Sequence, residues 1–140
     1  KNFNNYLIIR LPEIIGKNKN RNTLVNYFYY NIKNNKSFNL FKNTKRNFIE
    51  INDIVNILIE IVSNKITNRT INIASNNMTN VKDVVKIFEK ILNKKARVII
   101  KNDKFINYSI DIRYIKKLKS FKKLIFNENY LINKLNRYKK

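Results

Sequence analysis

Short apolar runs alternate with amphipathic stretches along the whole chain, and that alternation limits the fold more than any other feature. Tyr6–Leu11 (YLIIRL) is a nearly continuous apolar run, the pattern of a strand buried on both faces of a parallel sheet. Pro12 and Gly16 punctuate the chain after it, and Lys17–Arg21 reads as a polar, basic loop. From Thr23 onward, Leu24, Val25, Phe28 and Ile32 have the spacing of one helix face. Ser37–Phe41 and Arg46–Ile51 predict two short strands joined by a polar turn. Asn52 and Asp53 offer cap chemistry for a helix beginning near Ile54. Its buried face is Ile54, Val55, Leu58, Ile61 and Val62, and Ile57 and Ile59 widen that face until the helix reads as buried on two sides. Thr70–Ala74 predicts another strand. Asn80 and Asp83 resemble a capping box ahead of the clearest helix, whose apolar stripe is Val81, Val84, Val85, Phe88, Ile91 and Leu92. Arg97–Ile100 is a further strand, followed by a short helix near Ile112–Leu118 and a terminal helix near Glu128–Arg137. The order β-α-β-β-α-β-α-β-α-α favours an α/β sheet protein over an all-α or all-β one, and no internal repeat interrupts it.

Composition removes whole classes of chemistry. The 140 residues contain one glycine, one proline, no cysteine and no histidine. That excludes an ordinary zinc site, a thiol nucleophile, a disulfide and a Ser-His-Asp triad. A Gly-rich phosphate cradle of the G-x-G-x-x-G or Walker A type needs at least two glycines at fixed spacing, so none can form here. No apolar run approaches the ~18–20 residues of a membrane span. The most apolar stretch, Ile49–Val62, is broken by Glu50, Asn52, Asp53, Asn56 and Glu60. The N-terminus lacks the basic–apolar–small pattern of a signal peptide, and since it also lacks a Met we do not expect Lys1 to be the natural start. We therefore expect a soluble, cytoplasmic α/β protein that is a fragment of a longer chain.

The formal net charge is +21, which suggests a polyanion partner at first reading. Asn, Ile and Lys, however, supply 75 of the 140 residues, a bias that AT-rich codons also produce. The basic residues are dispersed, with Lys116, Lys117, Lys119, Lys122 and Lys123 as the one dense patch. No aromatic–basic stacking motif stands out, so nucleic acid is not the expected partner.

Two segments carry more specific information: Ile8-Ile9-Arg10-Leu11-Pro12-Glu13-Ile14-Ile15-Gly16 and Arg46-Asn47-Phe48-Ile49-Glu50-Ile51-Asn52-Asp53-Ile54-Val55. In that order they resemble the C-terminal half of the extended short-chain dehydrogenase/reductase family, the NAD-dependent epimerases and dehydratases of nucleotide sugars. The first is similar to a strand ending R-x-x-N-x-Y-G, the second to R-D-F-I-x-V-x-D-[VIL]-[AV]. Thr70–Ser75 is similar to the family's Y-N-I-(A/G) strand. Val81–Leu92 falls where the family has an amphipathic helix, and Ser109–Leu118 is similar to a late D-x-S-K-A-x-x-x-L-G element. The resemblance implies the C-terminal part of a Rossmann-like parallel sheet plus a small α/β substrate-binding lobe. Residues 1–140 would form that portion, with the N-terminal cofactor-binding half absent.

The resemblance also implies roles. Arg46 takes the position whose guanidinium contacts the nucleotide-sugar diphosphate or ribose; a planar, permanently charged fork suits that task. Its structural alternative is a pair with Glu50 or a helix end. Phe41, in the strand Phe38–Phe41, takes an edge facing the nucleotide base, and the carbonyls of Leu11 and Pro12 a wall beside the nicotinamide of NAD or NADP. Glu13 replaces the family's asparagine in the substrate site. Asp53 is expected to be a structural cap at the N-terminus of its helix. No catalytic residue and no metal ligand is expected.

This chain departs from the family at several points. Ile15 replaces the tyrosine, Lys17 the usual proline, and Lys42-Asn43-Thr44-Lys45 a longer Gly-rich turn. A second phosphate-binding arginine near residues 101–108 is replaced at best by Lys101 or Lys104 as point charges. The family's G-x-x-G-x-x-G turn and catalytic Tyr-x-x-x-Lys pair lie upstream of the first matched strand. The strings Tyr29/Lys33 and Tyr130/Lys134 fall at the wrong places in the order and read as chance matches. The expected function is therefore the nucleotide-sugar-binding portion of an NAD(P)-dependent epimerase, dehydratase or reductase, inactive alone, with a homodimer open to it once the N-terminal half is present. The alternatives are an independent basic module for nucleic acid or anionic glycan, and a remnant without function.

Overall fold

The computed structural model describes residues 5–102 and 108–139. The strands among them are β1 (Leu7–Arg10), β2 (Glu13–Ile15), β3 (Ser37–Phe41), β4 (Lys45–Arg46), β5 (Phe48–Glu50), β6 (Arg69–Asn72), β7 (Thr79–Asn80) and β8 (Arg97–Lys101). The α-helices are α1 (Leu24–Lys33), α2 (Ile51–Ser63), α3 (Val81–Leu92), α4 (Lys119–Lys122) and α5 (Glu128–Leu135), with 3₁₀ turns at Ile115–Lys117 and Asn136–Lys139.

Three strand pairs are parallel: β1 with β6, β2 with β5, and β3 with β8. β4 pairs antiparallel with β7. Parallel neighbours need a crossover between them, which the intervening helices supply. The polar turn expected between Ser37–Phe41 and Arg46–Ile51 is present, but the strands it joins do not pair with each other. β3 goes to β8, β4 to β7 and β5 to β2. Period marks a strand; it does not choose the strand's partner.

The buried side chains form two clusters. In the first, α1, α3, β3 and the C-terminal segment bring together Phe28, Ile32, Phe38, Phe88, Leu135 and Tyr138. The Phe28 and Phe38 rings lie 5.5 Å apart and the Phe88 and Tyr138 rings 5.3 Å apart, within the range where edge and tilted contacts add to area burial. In the second, Ile54, Ile57 and Ile61 of α2 pack with Ile71, Ile73, Ile115 and Phe121. Phe126 packs against both clusters. With glycine so scarce, asparagine takes most left-handed turns: Asn35, Asn43, Asn68 and Asn93 have positive φ, as does Lys65. Asn93 ends α3 this way, and the Lys94 N–H closes back on the Glu89 carbonyl at 3.1 Å.

Helix α3 spans the expected residues, with the Asn80 side chain accepting from the Lys82 N–H at 3.0 Å. Other expectations need correction. β1 is parallel but not buried on both faces, since Ile8 is 50% exposed. α2 starts at Ile51, and Val55, Ile59 and Val62 are not in its buried face: they are 42%, 59% and 65% exposed. The helix has two apolar sides, and the packed strands cover only the one carrying Ile54, Ile57 and Ile61. The helix expected near Ile112–Leu118 is a single 3₁₀ turn followed by α4. The Glu60 carboxylate receives the Lys119 and Ser120 N–H groups at the start of α4, at 2.9 and 2.8 Å. That long-range cap has no local sequence signature.

Candidate functional site

The parallel pairing of β2 with β5 sets Glu13 opposite Phe48, and the Glu13 N–H donates to the Asn47 carbonyl at 3.2 Å. Arg46 directly precedes Asn47, and its charge reaches the Glu13 carboxyl. Burial pushes the half-buried Glu13 carboxyl above the ordinary glutamate pKa, and the Arg46 charge pulls it part of the way back. Arg46 Nη1 donates to the Lys45 carbonyl at 2.9 Å. Its structural alternative, a pair with Glu50, is not what forms: Glu50 takes Arg137 at 3.0 Å and Lys134 at 3.5 Å.

A cleft of about 430 Å³ runs from Pro12 and Glu13 to the start of α1 at Thr23 and Leu24, with Tyr27 on its wall. Leu11 is exposed just ahead of it and is not part of the lining. Phe41 ends β3 on the exposed arm of the turn that returns to Arg46, where the Thr44 N–H donates to the Phe41 carbonyl at 3.4 Å. The cleft thus joins Pro12 and Glu13, while Arg46, whose charge reaches Glu13, lies outside its lining, as do Leu11 and Phe41. Lys101 ends β8 in an exposed position, and Lys104 lies outside the described residues.

Asn47 locks this neighbourhood from below. Its buried Nδ2 donates to the Ser75 carbonyl at 2.9 Å, to Ser75 Oγ at 3.2 Å and to the Asn77 carbonyl at 3.0 Å. Replacing it takes the donor from the buried Ser75 carbonyl, while the Asn77 carbonyl keeps the Ser75 hydroxyl at 2.7 Å. Asn47→Ala is expected to cost about 1–3 kcal/mol, read from the urea midpoint of unfolding; a change within ~0.5 kcal/mol would remove this role.

Asp53 is structural in this arrangement, but not as the cap. Glu50 is the N-cap residue of α2, its carboxylate accepting from the Asn52 N–H at 3.1 Å. Asp53 sits within the first turn of α2. It accepts from the Tyr130 hydroxyl at 2.7 Å and pairs with Lys134, also at 2.7 Å. The Tyr130 oxygen in turn accepts from the Glu50 N–H at 3.0 Å. Burial raises the Tyr130 pKa and the hydrogen bond to Asp53 adds to the rise, so the phenol keeps its proton and serves as a clamp rather than an acid or base. The Tyr130/Lys134 string is therefore a real pair, four residues apart on α5. Its acidic partners lie on α2 and its N-cap, too distant in sequence for any motif to show. In the other string, the Lys33 ammonium donates to the Tyr29 hydroxyl at 3.3 Å on the exposed side of α1. Among the described residues, no cluster of acids suits a metal ion, and no helix is long and apolar enough to cross a membrane.

No family model and no curated protein matches the sequence. Solved structures match it in fold. The dTDP-glucose 4,6-dehydratase of Bacillus anthracis, in complex with NAD, superposes with a TM-score of 0.72 at 18% identity, over 94% of this chain and 44% of that one. The Thermus thermophilus UDP-glucose 4-epimerase with NAD gives 0.75 at 9% identity, over 96% and 46%. The Bacillus cereus UDP-glucuronic acid 4-epimerase (Y149F variant), with a fluorinated sugar nucleotide and NAD, gives 0.75 at 17%, over 95% and 43%. This chain spans less than half the length of each of these enzymes. It has the α/β fold of the C-terminal portion of the Rossmann-like nucleotide-sugar epimerases and dehydratases.

Proposed function

We propose that this chain is the substrate-binding C-terminal portion of an NAD(P)-dependent nucleotide-sugar epimerase, dehydratase or reductase, and that it is inactive by itself. The observation that carries the reading is the half-buried Glu13 lining a cleft within reach of the Arg46 charge, in a fold whose neighbours are such enzymes. On this reading Arg46 grips the diphosphate of the substrate, Phe41 faces its base and Glu13 tunes which substrate enters. Leu11 and Pro12 offer one wall for the nicotinamide. The cofactor's phosphates need a cradle that a single-glycine sequence does not provide, so this chain alone binds little NAD or NADP. The 140 residues act as one unit, in the cytoplasm, and any homodimer depends on the complete enzyme.

Titrating the chain with UDP-glucose and dTDP-glucose by calorimetry tests this. Arg46→Ala is expected to weaken binding by about tenfold or more, the size of a lost charge-assisted hydrogen bond. Glu13 adds a pH signature. Ionised, it opposes a diphosphate; protonated, it does not. Because its pKa is raised, affinity is expected to rise as pH falls through that raised value, and Glu13→Gln is expected to bind more tightly at neutral pH with a flatter profile. Equal affinities for wild type and Arg46→Ala would sink the proposal.

A further inference from the structure

A second groove, sharing no lining residue with the Glu13 cleft, lies between the loop Lys17–Arg21 and one side of α1. Asn26, buried on that side, pins the loop: its Nδ2 donates to Thr23 Oγ1 at 2.7 Å, Asn18 Oδ1 at 3.2 Å and the Gly16 carbonyl at 3.3 Å. Asn18 Oδ1 also accepts the Asn20 N–H at 2.8 Å, and Asn20 Oδ1 the Asn22 N–H at 2.9 Å. These turns leave Lys17, Lys19 and Arg21 exposed over α1. The groove measures about 420 Å³, and among the described residues no carboxylate lines it.

Two tyrosine rings floor the groove, with cations around them. The Arg21 guanidinium is 4.0 Å from the Tyr30 centroid and donates to the Tyr30 hydroxyl at 2.9 Å, while Lys36 is 5.4 Å from the same ring. Lys17 and Lys33 are 5.9 and 5.5 Å from the Tyr29 centroid. The negative C-terminal end of α1 explains why Lys33 and Lys36 gather there. It does not explain the three cations of the loop. Like charges held close repel, and a polyanion relieves that repulsion. A cationic groove with aromatic faces is what single strands bind, phosphates on the cations and bases on the rings. A duplex keeps its base faces stacked inside, and a sulfated glycan has none.

We propose that this groove binds single-stranded nucleic acid, with Lys19 and Arg21 on the phosphates and a base against the Arg21–Tyr30 stack. The linear sequence hides this because the cations and the tyrosines come from a loop and a helix, interleaved only once the loop folds over α1.

The test is fluorescence anisotropy of the intact chain with labelled oligothymidylate of about fifteen nucleotides over a range of salt. The double variant Lys19→Ala with Arg21→Ala is expected to bind at least tenfold more weakly. Its slope of log K against log salt should flatten by about 1.4, two phosphates at ~0.7 each. Tyr30→Leu is expected to weaken binding by about fivefold or more with the slope unchanged. If that variant does not fold, Arg21→Lys, which keeps the charge and loses the planar stack, takes its place. A triple variant at the distant patch, Lys116→Ala with Lys117→Ala and Lys123→Ala, should stay within about twofold of wild type. Equal losses at the two patches, or heparin binding as tightly as oligothymidylate with no effect of Tyr30→Leu or Arg21→Lys, would overturn the proposal in favour of diffuse charge attraction.

Discussion

Asp53→Ala is expected to lower the unfolding free energy by about 3–5 kcal/mol, the cost of stripping one partner from a buried ion pair. Asp53 is 7% exposed and Glu50 3% exposed, so neither carboxylate has much water to fall back on. Removing the Asp53 carboxylate leaves the Lys134 ammonium without its 2.7 Å partner and the Tyr130 hydroxyl without an acceptor. It also loosens the tie between α5 and the first turn of α2, in a chain whose whole stability is on the order of 5–15 kcal/mol. Tyr130→Phe removes two hydrogen bonds, the one to Asp53 and the one from the Glu50 N–H, but keeps the ring against Phe126 and strands no charge, and should cost less, about 1–3 kcal/mol. Urea unfolding of Asp53→Ala, Lys134→Ala and the double variant forms a cycle, and coupling of at least ~1 kcal/mol is expected. Purely additive losses would show that solvent, not the partner, satisfies these groups.

The second large effect concerns association. Ile51, Val55, Ile59 and Val62 recur at helical spacing on the open side of α2 and leave an apolar stripe in water. A contiguous apolar stripe drives self-association, since burying one such side chain is worth about 1.5–3 kcal/mol. The isolated chain is expected to associate with rising concentration, and Ile59→Lys with Val62→Lys to weaken that association by at least tenfold. Both side chains already face solvent, so the unfolding free energy should change by no more than ~0.5 kcal/mol each. Sedimentation velocity over a concentration series measures the first effect and urea unfolding the second. A wild-type chain that stays monomeric throughout, or a double variant that unfolds early, would show that the stripe is covered from within.

Much of the architecture is legible from residues alone. The spacing of Val81, Val84, Val85, Phe88, Ile91 and Leu92 marks α3, Val25, Phe28 and Ile32 mark α1, and the runs at Ser37–Phe41 and Arg97–Ile100 mark strands. These signals are legible because helix and strand periods are set by local backbone geometry, which each segment carries within itself. The order of the R-L-P-E and R-N-F-I-E segments likewise points to a C-terminal epimerase/dehydratase fold, and places Glu13 and Arg46 among the residues to watch.

Tertiary structure alone decided which segments meet. β3 and β8 pair across an intervening stretch that holds two helices, and nothing in either strand names the other. Asp53 has the look of a helix cap, yet Glu50 caps α2 while Asp53 holds Tyr130 and Lys134 on α5. α2 is apolar on two sides, and only the position of the strands determines that Ile57 is buried while Ile59 faces water. Local spacing sets the shape of each element. Strand partners, ion-pair networks and the choice of buried face depend on closing long loops between distant residues, a free energy that no single segment contains.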